Sequence, residues 1–144
     1  MKKKVMILSL VLCFITLLTG CSTEDTSRNS ITTEQKEINT INISKKWIVT
    51  HFVFSAACKP GDRLPYQLSS IHLNLKEGRY SAVDAYSLKE DTGIWEIKNG
   101  VVHLISDQGL VHLKIRINKL SNNEMEAEVL EHEDIIGVEL ISER

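Results

Sequence analysis

The sequence predicts an all-β fold, an eight-stranded antiparallel up-and-down barrel that starts near residue 45. From residue 46 onward, apolar and polar residues alternate with a period of two, which is typical of strands with one buried face. Turn signals rich in Gly, Asn and Asp interrupt this alternation roughly every 8–12 residues. Short loops between consecutive strands favour a meander, and closing eight strands removes the exposed sheet edges. A two-sheet sandwich is the alternative architecture.

The first half of the domain contains three predicted strands and one long loop. Lys46–Phe54 is rich in β-branched and aromatic residues, which favours a strand. Ser55–Gln67 contains two prolines and a glycine, so we predict a loop that covers the open end of the barrel. Alternating residues then predict strands over Ser69–Leu75 and Arg79–Leu88, followed by a turn at Lys89–Thr92. No segment has convincing helical periodicity.

The dipeptide Asn99-Gly100 is a strong hairpin signal between two further predicted strands, Ile94–Lys98 and Val101–Ser106. A two-residue loop at this point sets the register of the hairpin, because side chains alternate between the two faces of each strand. Apolar residues then face each other across the hairpin in the pairs Ile97 with Val102 and Trp95 with Leu104. The polar residues Glu96 and His103 face each other on the opposite side.

The last three strands are predicted at Leu110–Leu120, Glu124–Leu130 and Ile135–Ile141. The apolar faces of Val101–Ser106 and Leu110–Leu120 align only if the loop between these two strands has an even length, either two residues or four. Only the four-residue loop places His103 directly opposite His112 on the outer face. Such a pair is one route to a surface zinc site, but the spacing fixes no third ligand, and no metal is predicted.

The alternation of apolar and polar residues shifts by one position near the end of the sixth predicted strand. Leu120 must meet Met125 across the turn at Asn122-Asn123, yet Leu120 is out of step with Ile117. We therefore predict a β-bulge near Asn118-Lys119. The outer faces of the sixth and seventh strands carry opposite charges, which predicts cross-strand ion pairs between a basic set (Lys114, Arg116) and an acidic set (Glu124, Glu126, Glu128).

The first 20 residues are predicted to be a secretory signal peptide. They combine three lysines with a 14-residue apolar run, Val5–Leu18, which is shorter than the roughly 20 residues of a membrane-spanning helix. The following Leu18-Thr19-Gly20-Cys21 resembles the lipobox of bacterial lipoproteins. This resemblance implies that Cys21 is acylated and anchors the chain in the cell envelope. An aspartate after the cysteine would resemble the inner-membrane retention signal of enterobacterial lipoproteins. By this resemblance, Ser22 implies the outer membrane, on its periplasmic side or at the cell surface.

Residues 21–44 contain many Ser and Thr residues and are predicted to be the lipidated cysteine and a flexible tether. Isoleucines near the end of this segment also permit a short helix or an edge strand. The barrel domain is then predicted over residues 45–144. The chain of 144 residues has a net charge of −2, and loss of residues 1–20 removes three lysines and no acid, which leaves 14 basic and 19 acidic residues. A net charge of −5 excludes nucleic acid as the main partner.

Four short motifs are spread over a stretch of about 75 residues of the domain: Lys46-Trp47, Gly78-Arg79-Tyr80, Gly93-Ile94-Trp95 and Ile117–Ser121. They resemble motifs of the small lipocalin-like lipoproteins of the Bacteroidetes. The resemblance implies a barrel. Two features differ from classical lipocalins, because no glycine stands two residues before Trp47 and no C-terminal helix is predicted.

Candidate ligand contacts lie on the third predicted strand and at the two tryptophans. Tyr80, Asp84 and Tyr86 share one strand face, and if this face points inward, a carboxylate and two phenols line the barrel. The opposite orientation places them on the surface, and the preceding turn permits both. Trp47 and Trp95 are also candidates, although filling the core is the simpler role for them.

The sequence contains no phosphate-binding loop, Ser/His/Asp arrangement, CxxC or HExxH motif, so no catalytic residue and no cofactor are predicted. Cys58 is the only cysteine after Cys21 and is interpreted as a structural or incidental thiol. The first functional hypothesis is a non-enzymatic, membrane-anchored barrel that binds a small apolar ligand or a peptide. The alternative is a structural or protein-interaction lipoprotein with a filled barrel, such as an inhibitor, an immunity factor or a subunit of an envelope complex.

Overall fold

The computed structural model describes residues 34–109 and 112–143, and in this part of the chain eight antiparallel strands close into a barrel in sequence order. β1 pairs with β8 from Trp47 opposite Ser142 to Phe54 opposite Ile135, and this pairing closes the sheet. The predicted fold class is therefore confirmed. The strands are β1 Lys46–Phe54, β2 Ile71–Lys76, β3 Arg79–Asp84, β4 Lys89–Lys98, β5 Val101–Ser106, β6 His112–Leu120, β7 Glu124–Leu130 and β8 Ile135–Ser142.

The predicted register of the central hairpin is confirmed at every position. Lys98 pairs with Val101, and the three predicted pairs beyond it form as expected. β5 pairs with β6 in the register of the two-residue loop, which places His112 opposite Ile105 and Lys114 opposite His103. The bulge in β6 is also confirmed, because the pairing with β7 shifts between Ile117 and Lys119 and then brings Leu120 opposite Met125.

The outer face of β6 and β7 carries cross-strand ion pairs, as predicted, although their partners differ in part. Arg116 pairs with Glu128 at 3.0 Å. The bulge moves Lys119 opposite Glu126, and these two side chains approach to 2.7 Å. Lys114 reaches beyond the strand end to Glu131, also at 2.7 Å. Because these pairs are exposed, solvent screens their charges and each pair contributes little to stability.

The boundary between β3 and β4 was predicted wrongly. β3 ends at Asp84 and β4 already begins at Lys89, so the predicted turn at Lys89–Thr92 is the start of a strand. The turn instead covers residues 85–88, and the amide of Leu88 donates to the carbonyl of Asp84 at 2.8 Å. Leu88 has a φ of +57°, a left-handed conformation that is uncommon for residues other than glycine.

The prediction of a loop throughout Ser55–Gln67 is also wrong, because Pro60–Leu68 forms a helix, α2. Pro60 occupies the first turn, where its missing N–H costs nothing. Pro65 lies inside the helix, which is unfavourable by itself, and tertiary contacts offset this cost. The Tyr66 ring packs against Phe52 and Phe54 at centroid distances of 5.8 and 6.0 Å, at the end of the barrel where β1 ends.

A four-residue helix, α1 (Thr40–Ile43), precedes the barrel, with Asn39 as its N-cap. Ile43 is fully buried in the barrel core, and its carbonyl accepts a hydrogen bond from Trp47 Nε1 at 3.0 Å. The amide of Lys36 also donates to the carbonyl of Leu120 at 2.7 Å. Part of the segment predicted as a tether is thus packed on the barrel. The predicted signal peptide and Cys21 lie outside the described residues.

Among residues 34–109 and 112–143, no helix is long and apolar enough to cross a membrane.

Candidate functional site

The two ends of the barrel interior differ in how they are filled. At the end where β1 begins, large side chains are buried against one another with at most 3% exposure: Ile43, Trp47, Leu75, Trp95 and Leu120. Both tryptophans therefore fill the core at this closed end, which is the simpler of the two roles considered for them. We call the opposite end, where β1 ends and β4 begins, the open end.

An apolar cavity of about 200 Å³ occupies the half of the interior toward the open end. Its wall includes Phe52, Leu73, Ala82, Leu113 and Val138. Neither tryptophan belongs to this wall. The barrel is therefore filled at one end and hollow toward the other.

Phe52 reaches the cavity because the side-chain phase of β1 changes along the strand. Trp47 and Val49 point inward at odd positions, whereas Phe52 and Phe54 point inward at even ones. The pairing with β8 shifts between Val49 and His51, and this irregularity accommodates the change. Without it, Phe52 would lie on the outer face of the barrel.

One carboxylate, that of Asp91, lies in the wall of the cavity. Tyr80 donates its hydroxyl proton to Asp91 Oδ2 at 2.6 Å, and Ser106 donates to Asp91 Oδ1, also at 2.6 Å. The Ser106 hydroxyl in turn accepts from the amide of Gln108 at 3.2 Å. Burial, followed by the hydrogen bond to Asp91, raises the pKa of Tyr80, so the phenol remains neutral and a donor.

Asp91 lies in the segment predicted to be a turn, Lys89–Thr92, and the prediction therefore gives it no inward face. A usable signal was present in the chain. Trp95 is an inward-facing anchor of β4, and residues two and four positions before it must share its face. Those residues are Gly93 and Asp91. Extending the alternation backward from Trp95 would have placed the carboxylate inside the barrel.

The three candidates of the third strand do not lie together. Tyr80 is buried inside the barrel, as the inward interpretation requires. Asp84 lies at the open end, where its carboxylate accepts from the amides of Ser70 and Tyr86 and from the hydroxyl of Ser87. Tyr86 belongs to the turn and is 63% exposed. Asp84 therefore organises the chain at the barrel rim, and Asp91 takes the interior position.

This role of Asp84 has an expected pH dependence. The hydrogen bond from Ser87 and that from the amide of Ser70 lower the pKa of Asp84 from 3.8 to about 2. Because the folded-state pKa is below the ordinary value, the stabilisation is complete above about pH 4 and is lost as the pH falls toward 2. NMR titration of the carboxyl carbon should give a midpoint near 2, and the stability difference between the wild type and Asp84→Asn should shrink over this range. A midpoint near 3.8 would contradict the proposed rim contacts.

A second pocket of about 300 Å³, the vestibule, lies outside the cavity at the open end. The vestibule and the cavity share Ile71, Ala82 and Asp91 in their walls, so these three residues separate the two spaces. The charged residues of the vestibule wall are Asp84, Lys89, Glu90 and Asp91. Three acidic groups and one basic group give this pocket a net negative charge.

The two histidines on the outer face are diagonal neighbours and not directly opposed. His103 Nδ1 and His112 Nε2 nevertheless lie 2.9 Å apart and share a hydrogen bond. Within the described ranges, no three His, Cys, Asp or Glu side chains are placed to hold a metal ion.

Cys58 is buried at 2% exposure beside α2, and its carbonyl accepts two hydrogen bonds from the guanidinium of Arg63. Its thiol contacts the carbonyl of Lys59 at 3.8 Å. These hydrogen bonds to the backbone of Cys58 hold the segment between β1 and α2 in place.

Comparison with known proteins leaves the barrel and its cavity as the basis for any functional assignment. No protein-family model, no curated protein and no solved structure matches this chain.

Proposed function

We propose that this protein is a lipid-anchored envelope lipoprotein with a lipocalin-like barrel that binds a small apolar ligand without catalysing a reaction. The observation that carries the proposal is the apolar cavity of about 200 Å³ beside Asp91. Protein interiors are close-packed, and voids larger than a water molecule are few. Side chains that line a hollow of this size lack contact partners on one side, and a bound ligand would supply those contacts.

The size of the cavity limits the ligand. An engineered apolar cavity of about 150 Å³ holds one benzene molecule, so about 200 Å³ suits a ligand on the order of six to ten non-hydrogen atoms. A long acyl chain or a folded peptide does not fit within this volume. Among the ligands considered from the sequence, a small apolar molecule is therefore favoured over a peptide for the interior.

The anchor in this proposal rests on the sequence. The basic start, the short apolar run and Leu18-Thr19-Gly20-Cys21 support acylation of Cys21. Two or more acyl chains on one cysteine hold a protein stably at a bilayer, whereas a single chain binds only marginally. The barrel would then bind its ligand next to the membrane of the cell envelope.

Native mass spectrometry of the protein, extracted from its own envelope with detergent, tests the binding function. We expect a small mass of one bound ligand, which disappears in Ala82→Phe because the new ring fills the cavity. The matched control is Ser81→Phe, which adds the same ring on the neighbouring residue of β3, where the side chain lines an outer groove. Ser81→Phe should retain the ligand.

An unliganded barrel that carries a stoichiometric protein partner would contradict the proposal. It would favour the alternative function, a protein-interaction lipoprotein that acts through its outer surface. Equal ligand occupancy in Ala82→Phe and the wild type would place the ligand outside the cavity and would also overturn the proposal.

A further inference from the structure

We infer that the ligand of this barrel is a small organic cation, an amine whose ammonium group pairs with Asp91 and whose apolar body fills the cavity. This inference rests on the proposed function and specifies its ligand class.

Asp91 has neutral partners only. Its two oxygens accept from Tyr80 and Ser106, one hydrogen bond each, and each oxygen retains a free lone pair. Among the described residues, no Lys, Arg or His side chain forms an ion pair with it. The nearby basic residue Arg79 instead pairs with Asp107 on the outer face of the barrel. Within the described residues, Asp91 thus has two neutral hydrogen-bond donors and no ion-pair partner.

Asp91 is half-buried between the apolar cavity and the vestibule, so only part of its carboxylate is exposed to the water that solvates its charge. A ligand that supplies a cation at this point restores the lost interaction, and charge-assisted hydrogen bonds are about twice as strong as neutral ones. An anionic ligand, such as a fatty acid, would instead bring two like charges together. The carboxylate therefore selects for amines and against acids.

The position of Asp91 fits this role. It lies between the cavity and the vestibule, so an ammonium group can contact it while the rest of the ligand points inward toward Leu104 and Leu113. Lys89 is the single basic residue in the vestibule wall, which also carries Asp84 and Glu90. A net negative vestibule attracts cations and lowers the local concentration of anions.

Isothermal titration calorimetry at neutral pH, with three probes on the purified full-length protein, tests the inference. The probes are 2-phenylethylamine, 2-phenylethanol and phenylacetate, which share a benzene ring and a short chain but differ in charge. We expect the amine to bind roughly tenfold more tightly than the alcohol, and the acid more weakly than the alcohol. This comparison needs no variant to fold.

Two variants test whether the preference for the amine over the alcohol depends on Asp91. Asp91→Asn keeps the shape of the side chain and removes its charge, so the preference for the amine over the alcohol should fall to about one. Glu90→Gln removes a charge from the vestibule next to Asp91 and should leave the preference within about twofold. Loss of the preference in Glu90→Gln but not in Asp91→Asn would overturn the assignment to Asp91.

The outcomes separate this inference from the proposed function. If the alcohol and the amine bind equally and Ala82→Phe abolishes both, the cavity binds ligands but the cation inference fails. If phenylacetate binds most tightly, the inference fails in the same way. If none of the probes binds and native mass spectrometry finds no small mass, the proposed function fails together with it.

Discussion

Replacing Gly93 by alanine is expected to destabilise the barrel by about 3 kcal/mol or more, because the new methyl group has no space. A Cβ built at this position would lie 2.0 Å from the carbonyl oxygen of Ile105 and 2.6 Å from Cε1 of Tyr80. The first atom is backbone of the neighbouring strand and cannot move without disrupting the pairing of β4 with β5. The second belongs to the ring that covers Gly93 from β3, where Tyr80 is its direct partner.

Urea unfolding followed by tryptophan fluorescence measures this effect, since Trp95 lies two residues from Gly93. The matched control is Gly61→Ala, because nothing lies within 4 Å of a Cβ at Gly61. Gly61 is in α2, so alanine there should be neutral or should stabilise by up to about 1 kcal/mol. Equal midpoints for the wild type and Gly93→Ala would show that Tyr80 does not pack over this glycine.

Removal of residues before 45 is expected to cause the second large loss of stability. A chain that begins at residue 45 lacks Ile43, which is fully buried, and leaves Trp47 Nε1 without its acceptor. Loss of a buried isoleucine costs about 2–5 kcal/mol, and a buried donor without a partner costs about 1–3 kcal/mol. A chain that begins at residue 34 retains both contacts and should unfold at a clearly higher urea concentration than the chain that begins at residue 45.

Point variants within α1 separate packing from chain length. Ile43→Ala should lose about 2–5 kcal/mol in the free energy of unfolding. The control Ile41→Ala changes the same residue type in the same helix, but Ile41 is 85% exposed and the loss should stay within about 0.5 kcal/mol. If the chain from residue 45 were as stable as the chain from residue 34, α1 would not belong to the folded unit.

The strands and their register were predictable because they depend on local patterns. Asn99-Gly100 permits left-handed φ at both positions, which matches a two-residue hairpin turn, and the φ angles of +51° and +75° agree. The bulge in β6 followed from the conflict between Ile117 and Leu120, which a regular strand cannot bury together. In both cases a residue near in sequence decided the structure.

The helices and the interior carboxylate were not predictable in the same way. α2 contains Pro65, and its stability comes from Tyr66 packing on Phe52 and Phe54, which are distant in sequence. The turn between β3 and β4 is fixed by the carboxylate of Asp84, so the strand assigned beyond it was too long. That error hid Asp91, since a residue assigned to a turn has no predicted inward face.

The sequence alone determined the number of strands, their order and most of their register, because period-two alternation and turn residues act over a few positions. It also carries the lipobox-like Leu18-Thr19-Gly20-Cys21, from which the proposed membrane anchor follows. Only the tertiary structure decided which end of the barrel is filled and which is hollow. That difference arises from side chains of many strands meeting at the axis, where Trp47 and Trp95 occupy one end and Asp91 faces a cavity toward the other.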